Sequence, residues 1–260
     1  MSKDESKDEY LITDVPLKAL TVFAMPMILG SFFQQVYNMA DSIIVGQFVG
    51  SSALAAVGAC AALTNVFICV ALGAGVGAGV LVSRYFGARN YSKMKTIVST
   101  SLISFLILSV LLGIFGFGLS HPMMSLLQTP ADILDEAVLY LRVYFVGFPF
   151  LFMYNILSTM FTSIGESKIP LVLLIFSSVL NILMDLWMVA GLGLGVFGAA
   201  LATLIAQGIS AVFSFVIFFC RMRRYKSHFD WFDRKELRSM LQIAVPSVLQ
   251  QSTVSIGMMI

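Results

Sequence analysis

The chain has 260 residues, of which 58% are hydrophobic and only 12% are charged, and its mean hydropathy is +0.92. Soluble domains carry about 25% charged residues, so this composition excludes an ordinary soluble protein and indicates an integral membrane protein. The net charge is only +2, and no large basic face lies outside short loops, which argues against a nucleic-acid partner. An enzyme is also disfavoured, because no nucleophile–base pair and no metal-ligand spacing occurs.

Apolar runs separated by turn residues predict an all-α fold, a six-helix transmembrane bundle followed by a seventh helix. Residues 1–16 are polar and lack the apolar core of a signal peptide, which predicts a cytoplasmic tail. The bundle is predicted over 17–220, a basic cytoplasmic loop over 221–236, and the first helix of a further, truncated lobe over 237–260. The six helices are expected at about 17–45, 53–82, 97–119, 133–163, 169–190 and 196–220.

Basic residues fall in alternate loops, and this pattern predicts the orientation in the membrane. Apart from Arg142, every Lys and Arg lies in the N-terminal region up to Lys18 or in the segments 84–95, 165–168 and 221–238. The intervening loops contain no Lys or Arg; they are 46–52, 120–132 and 191–195. We therefore expect a multi-pass protein of the cytoplasmic membrane with its N-terminus in the cytoplasm.

The start of the seventh apolar segment repeats the start of the first at a constant offset. The shared pairs are Leu17/Leu237, Lys18/Arg238, Ala24/Ala244, Pro26/Pro246 and Leu29/Leu249. A repeat of six helices returns the chain to its starting side, so two such repeats would be parallel about an axis along the membrane normal. Chance similarity between apolar helices is the alternative. In this register the counterpart of Asp41 would follow Ile260, so we expect the sequence to stop inside the first helix of a second half.

Two carboxylates are predicted inside the membrane, where each costs about 2.5–3.5 kcal/mol. At a rise of about 1.5 Å per residue, Asp41, Asp185 and Thr203 reach similar depth in the outer half, and Asn181 lies one turn from Asp185. Oxygen ligands of this kind suit a hard cation, and neighbouring carboxylates in a low dielectric favour a bound proton. The alternative is that both carboxylates hydrogen-bond loops near the outer interface.

Other intramembrane features leave alternatives open. Gln34 and Asn38 share a helix face with Asp41 and either line a polar cavity or join helices. Pro26 is either a static kink or a bending hinge. Arg142 is expected in an interfacial charge cluster or a structural pair with Asp135 and Glu136.

Small residues in the apolar runs are interpreted as packing positions. Glycines alternate over 73–79 and permit close helix contact. A phosphate-binding loop is rejected there, because no Lys-Ser/Thr follows. Cys60, Cys69 and Cys220 lack metal-ligand spacing and are interpreted as small core residues.

Together these residues resemble the MATE (multidrug and toxic compound extrusion) transporters, specifically the DinF-like branch, over essentially the whole chain. The motifs that carry the resemblance are Pro26…Gln34-Gln35…Tyr37-Asn38…Asp41-Ser-Ile-Ile-Val-Gly46, Ala53-Leu-Ala-Ala-Val-Gly58, Ser83-Arg84-Tyr-Phe-Gly87-Ala-Arg89 and Gly165-Glu-Ser-Lys168-Ile-Pro170…Asn181-Ile-Leu-Met-Asp185.

The resemblance implies the N-terminal lobe of a 6+6 transporter plus the start of helix 7. It implies a proton or Na⁺ coupling site at Asp41, Asn181, Asp185 and Thr203, linked to bending at Pro26. It also implies export of amphipathic, often cationic, drug-like compounds by alternating access. No cofactor is expected beyond the coupling ion, H⁺ or Na⁺, and the partners are the lipid bilayer and the missing C-terminal lobe, or a second chain.

Two alternatives remain at this stage. A lipid-linked oligosaccharide flippase of the same superfamily would need a cationic cavity for its diphosphate, and Arg142 is the only intramembrane candidate. The other alternative is a truncated chain without transport of its own, which could include a lobe that pairs with a second copy.

Overall fold

The computed structural model describes residues 15–225 and 228–257, and these two stretches contain helices and no strand. This confirms the predicted all-α fold. The elements in chain order are α1 (Pro16–Phe48), α2 (Ser51–Gly87), α3 (Tyr91–Leu126), α4 (Leu134–Ser163), α5 (Lys168–Asp185), a π-helical turn (Leu186–Gly191), α6 (Gly195–Met222) and α7 (Arg234–Gly257).

Six helices are long and apolar enough to cross a membrane, namely α1 to α6, with α5 extended by the π turn. Their number agrees with the six predicted spans. The helix α7 follows as a seventh helix and does not belong to these six over its described residues. The predicted tail, residues 1–16, lies almost entirely outside the described residues, as do residues 258–260.

The third helix is longer than predicted at both ends. It begins at Tyr91, because the Asn90 side chain accepts a hydrogen bond from the Lys93 backbone N–H at 3.2 Å and caps the helix. It also continues through Pro122 to Leu126, where a connection was expected. Met124 is fully buried in the main core, and its packing outweighs the backbone hydrogen bond that proline removes.

The helix α4 lies at the centre of the bundle and packs against α2, α3 and α6. Its aromatic side chains form the core: Phe145, Phe148 and Phe152 are at most 1% exposed. Phe67 of α2 packs edge-to-face on Phe145, with the ring centroids 4.8 Å apart, a favourable aromatic geometry. By contrast, α1 packs mainly against α5 at the edge of the bundle.

The alternating glycines of α2 serve two interfaces. A Cβ atom on Gly77 would lie 2.7 Å from Ala244 Cβ of α7, and a Cβ atom on Gly79 would lie 2.7 Å from Ser163 Oγ of α4. Gly73 faces α7 in the same way. Close helix contact is therefore confirmed, and the i, i+2 spacing directs it to opposite sides of α2.

Two side-chain expectations need correction. Cys60 and Cys69 are buried as predicted, but Cys220 is exposed, because it lies on the outward face near the end of α6. Arg142 forms no ion pair with Asp135 or Glu136 in the described part of the chain. Its guanidinium lies 5.7 Å from the Phe117 ring centroid instead.

The connection between α6 and α7 follows the surface of α3. Its described part, residues 228–233, is called the strap below. Hydrogen bonds join the strap to successive turns of α3; they are Ser92 Oγ to His228 O (2.5 Å), Asp230 N to Thr96 Oγ1 (3.1 Å), Ser99 Oγ to Trp231 O (2.7 Å) and Asp233 N to Thr100 Oγ1 (3.0 Å). The strap is therefore held along α3 over more than two helical turns.

Candidate functional site

Two carboxyl groups meet near one end of the bundle. Asp41 lies seven residues before the end of α1, and Asp185 is the last residue of α5. The two side chains are within hydrogen-bonding reach of each other, and Asp185 is fully buried. The Oδ1 atom of each carboxylate is buried without a hydrogen-bond partner among the described residues. Two charges held this close in a low dielectric favour a shared proton or cation.

An amide and a hydroxyl complete this group, which is called the acid site below: Asp41, Asn181, Asp185 and Thr203. With its amide nitrogen turned to Asp185, Asn181 donates to Asp185 Oδ2 at 2.8 Å. Its oxygen then accepts from Thr203 Oγ1 and from the Thr203 backbone N–H, both at 3.2 Å. This orientation satisfies both ends of a side chain that is only 1% exposed.

The sequence predicted which four residues converge, and the structure brings them together. Helical geometry explains this, since Asn181 and Asp185 are one turn apart on α5 and Thr203 lies on the adjacent α6. Neither carboxylate hydrogen-bonds a loop within the described ranges. The binding of a coupling ion, H⁺ or Na⁺, at the acid site stays a prediction.

Tyrosines surround the acid site, and sequence reasoning missed them. Tyr37, one turn before Asp41 on α1, lies close to the Thr203 side chain. Tyr140 of α4 lies near Asp41, and Tyr144, one turn further on, lies near Tyr37. The i, i+4 spacing was a usable signal, because it places Tyr37 on the same helix face as Asp41, and Tyr140 on the same face as Tyr144.

A small cavity of about 20 Å³ adjoins Thr203, with room for about one water molecule. Its wall includes Tyr140, Tyr144 and Gln207. The Tyr144 hydroxyl and Gln207 Oε1 are both buried without a hydrogen-bond partner in the described chain. Gln207, one turn after Thr203, therefore extends the polar surface from the acid site toward the middle of the bundle.

The π turn lies directly after Asp185. Over Leu186–Gly191 the helix widens, and Leu192 N–H bonds Trp187 O at 3.0 Å as it ends. Such turns are rare and occur often at functional sites. Here the turn begins at the residue after Asp185 and ends the fifth span before the connection to α6, and the sequence analysis did not predict it.

The side chains of Gln34 and Asn38 form hydrogen bonds within α1, and within the described chain none joins them to the four acid-site residues. Gln34 Nε2 donates to Asn38 Oδ1 at 3.3 Å, and Asn38 Nδ2 donates to Gln35 Oε1 at 3.4 Å, on an exposed part of α1. Their predicted role at a polar cavity stays a prediction. Pro26 is buried within α1, which continues through it without a break.

A family model and curated relatives both resemble this chain over most of its length. The MatE family model matches residues 26–187. The Multidrug export protein MepA of Staphylococcus saprophyticus is 31% identical over 222 residues, which are 83% of this chain and 48% of that protein. The chain spans about half the length of the curated relatives that it matches, from 48% to 58%.

Solved structures match in two conformations. An outward-facing multidrug resistance MATE family transporter of the MOP superfamily matches with a TM-score of 0.82 and 28% identity, over 97% of this chain and 56% of that one. An inward-facing structure of such a transporter matches with a TM-score of 0.74 and 27% identity, over 86% of this chain and 52% of that one.

Proposed function

The chain belongs to the MatE family of MATE transporters, and from this premise we propose that it supplies one six-helix lobe of a multidrug efflux antiporter. In this proposal amphipathic, often cationic compounds leave the cell in exchange for H⁺ or Na⁺ by alternating access. The observation that carries the proposal is the buried carboxyl pair Asp41–Asp185, with an unpartnered oxygen on each side chain. The named export function of MepA supports the substrate class.

The acid site couples ion binding to the position of α1. Two ionised carboxylates about 4 Å apart repel by roughly 4 kcal/mol at an effective dielectric constant of about 20. A proton or Na⁺ between Asp41 and Asp185 removes this repulsion and draws α1 toward α5. Loss of the ion separates the two helices, at little packing cost because α1 is largely exposed. Pro26 acts as the hinge, since it removes one backbone hydrogen bond from α1.

The ion itself is a transported species, and the acid site suits either candidate. Asp41, Asp185, Asn181 and Thr203 together offer the oxygen atoms that a hard cation such as Na⁺ prefers. A proton needs only the two carboxylates. The two ions predict different responses to sodium at constant pH, which makes the choice testable.

The remaining assignments follow from this lobe arrangement. We assign residues 17–220 to the N-terminal lobe, the cytoplasmic segment 221–236 to the connection, including the end of α6 and the start of α7, and residues 237–260 to the start of a C-terminal lobe that another part of the protein or a second chain completes. Gln34 and Asn38 line the substrate cavity between the lobes. The positive-inside pattern supports a cytoplasmic N-terminus in the cytoplasmic membrane.

A flippase for a diphosphate-linked lipid is less well supported. The cavity beside Thr203 has no Lys or Arg among its lining residues. Arg142 is exposed and lies against Phe117, so it does not supply the cationic surface that a diphosphate requires.

The ion site is tested on the chain itself through Trp187, which lies two residues after Asp185 and becomes the sole tryptophan in a Trp231→Phe background. We expect added Na⁺ or acid to change its fluorescence, and Asp41→Asn or Asp185→Asn to abolish the change. Asp132→Asn is the matched control, because that carboxylate is exposed. A response that survives both substitutions in the acid site would refute the coupling role.

Transport is measured separately by dye efflux from everted vesicles, with sodium and pH varied independently. We expect Asp41→Asn and Asp185→Asn to abolish ion-driven dye movement while membrane insertion stays normal. Unchanged efflux by both variants would contradict the proposal. If the parent chain responds to ions but moves no dye, the ion site belongs to this lobe and transport requires the further helices.

A further inference from the structure

An apolar groove lies between α3 and α6, away from the acid site. Its floor includes Met153 of α4, and its rim includes Phe229 and Trp231 of the strap. Its volume is about 450 Å³, within the range of roughly 300–1,000 Å³ that small-molecule sites occupy. The walls of this groove, called the strap groove below, are otherwise formed by aliphatic and aromatic side chains, with three polar residues among them.

Two of those polar residues are cations at one end of the groove. Lys95 Nζ lies 5.6 Å from the Phe229 ring centroid, and Arg223 Cζ lies 4.9 Å from the Phe219 ring centroid. The third, Ser99, already donates its hydroxyl hydrogen to Trp231 O at 2.7 Å. No Asp or Glu is among the residues that line the strap groove, so both of its lining charges are positive.

Neither cation has an acidic partner within residues 15–225 and 228–257. Their neighbours differ: Lys93 Nζ lies 3.9 Å from Glu236 Oε1, and Arg221 Nε lies 3.2 Å from Glu166 Oε1. Lys95 and Arg223 therefore line the groove without an acidic partner among the described residues, and a bound anion would supply the opposite charge.

The depth of the groove fits a lipid. From Lys95 to Leu106 the wall follows α3 for eleven residues, or about 16 Å at 1.5 Å per residue. This path leads from the end of the bundle that carries the basic loops into the membrane-spanning part of α3. Trp231 at the rim is 72% exposed, and tryptophan commonly lies at the membrane–water interface.

We propose that the strap groove binds one anionic phospholipid of the leaflet on the basic-loop side. Its phosphate lies between Lys95 and Arg223, and an acyl chain lies along Leu102, Leu106 and Phe215. A cationic amphipath is repelled by the two cations, and a zwitterionic lipid gains less from them because its head group carries a compensating positive charge. The inference uses the orientation proposed above but not the ion coupling, so either proposal can fail alone.

The test uses Trp231 as the sole tryptophan, in a Trp187→Phe background of the full chain reconstituted in phosphatidylcholine bilayers. Phosphatidylglycerol with brominated acyl chains quenches a tryptophan that it contacts. We expect it to bind roughly 25-fold more tightly than brominated phosphatidylcholine, since each of the two cations contributes about a fivefold factor. Equal quenching by the two lipids would overturn the proposal.

Paired variants separate a specific site from general surface charge. Lys95→Gln with Arg223→Gln is expected to reduce the preference for the anionic lipid to within about twofold. Arg234→Gln with Lys235→Gln removes the same charge from exposed residues outside the groove, and should retain the preference. Equal loss in both double variants would assign the effect to the surface potential and refute the site.

Three further measurements distinguish a lipid site from a disturbed fold and from a site for free anions. Lys95→Arg with Arg223→Lys should restore the preference, and thermal unfolding in lipid-free detergent should match the parent chain for every variant used. Inorganic phosphate at millimolar concentration should not relieve quenching by the anionic lipid. If it does so completely, the site recognises a free anion, and the lipid proposal is wrong.

Discussion

The helices α4 and α1 differ in how firmly the bundle holds them. In the most apolar window of α4, 50% of the residues are buried, against 6% in that of α1. The aromatic side chains of α4 interlock with those of α2, whereas large apolar residues of α1 such as Phe32 remain 63% exposed. The lobe therefore combines a rigid centre with a lightly packed edge, and the carboxylate that faces Asp185 lies on that edge.

Under the proposed ion coupling, this contrast indicates which helix an ion could move. A helix held by extensive packing does not respond to a few kilocalories per mole, because moving it would open cavities. The helix α1 packs mainly on α5, and its charged contact there is Asp41–Asp185. The proposed mechanism therefore predicts that a change in charge at that contact shifts α1 and leaves α4 in place.

The largest expected difference between the two helices comes from matched phenylalanine truncations. Phe148→Ala in α4 removes a fully buried ring and should lower the free energy of unfolding by about 3–5 kcal/mol. Phe32→Ala in α1 should change it by less than about 0.5 kcal/mol. Detergent unfolding followed by circular dichroism measures both. Comparable losses would mean that α1 is packed as firmly as α4.

A smaller difference is expected at two glycines, one in the interface between α2 and α4 and one in the interface between α1 and α5. An alanine Cβ at Gly79 would lie 2.7 Å from Ser163 Oγ of α4, so Gly79→Ala should cost about 1–3 kcal/mol. At Gly30 of α1 the nearest atom, Leu174 Cδ2, is 3.8 Å away. Gly30→Ala should therefore be neutral or should stabilise the chain by up to about 1 kcal/mol. The same unfolding assay applies, and a costly Gly30→Ala would contradict the loose α1–α5 interface.

The smallest effect on stability, within about 1 kcal/mol, is expected for Pro26→Ala, because it restores one backbone hydrogen bond while losing some ring contact. Its effect on function should be large, since a stiffened α1 cannot bend, and the ion-dependent fluorescence of Trp187 should be lost. Pro149→Ala in α4 is the matched control and should keep the fluorescence response. A normal response in Pro26→Ala would make Pro26 a static kink.

The sequence predicted the features that depend on the length of the apolar runs and on the depth of each residue in the membrane. Runs of apolar residues predicted six spans because a membrane sets the length of a helix. The convergence of Asp41 with Asp185 followed from counting residues inward from each loop. Both arguments need only the rise of a helix and the direction of the chain.

Features that depend on which helices become neighbours were not predicted. Tyr140 and Gln207 were not singled out, because their helical spacing gives a shared face but not the helix that this face meets. The predicted end of α3 at about residue 119 was wrong for a similar reason. The helix continues through Pro122 because Met124 is buried, and that burial depends on the tertiary packing. The partners of the α2 glycines were also undetermined, because a period gives a face but not the helix that covers it.

The strap has a mechanical consequence for any larger assembly. Its hydrogen bonds hold residues 228–233 against α3, and Gly73 and Gly77 seat α7 on α2 with almost no space between the backbones. The described part of the connection between the sixth and seventh helices is therefore held against the bundle. Any movement between this bundle and further helices must carry α7 with the bundle or break the contact between α7 and α2.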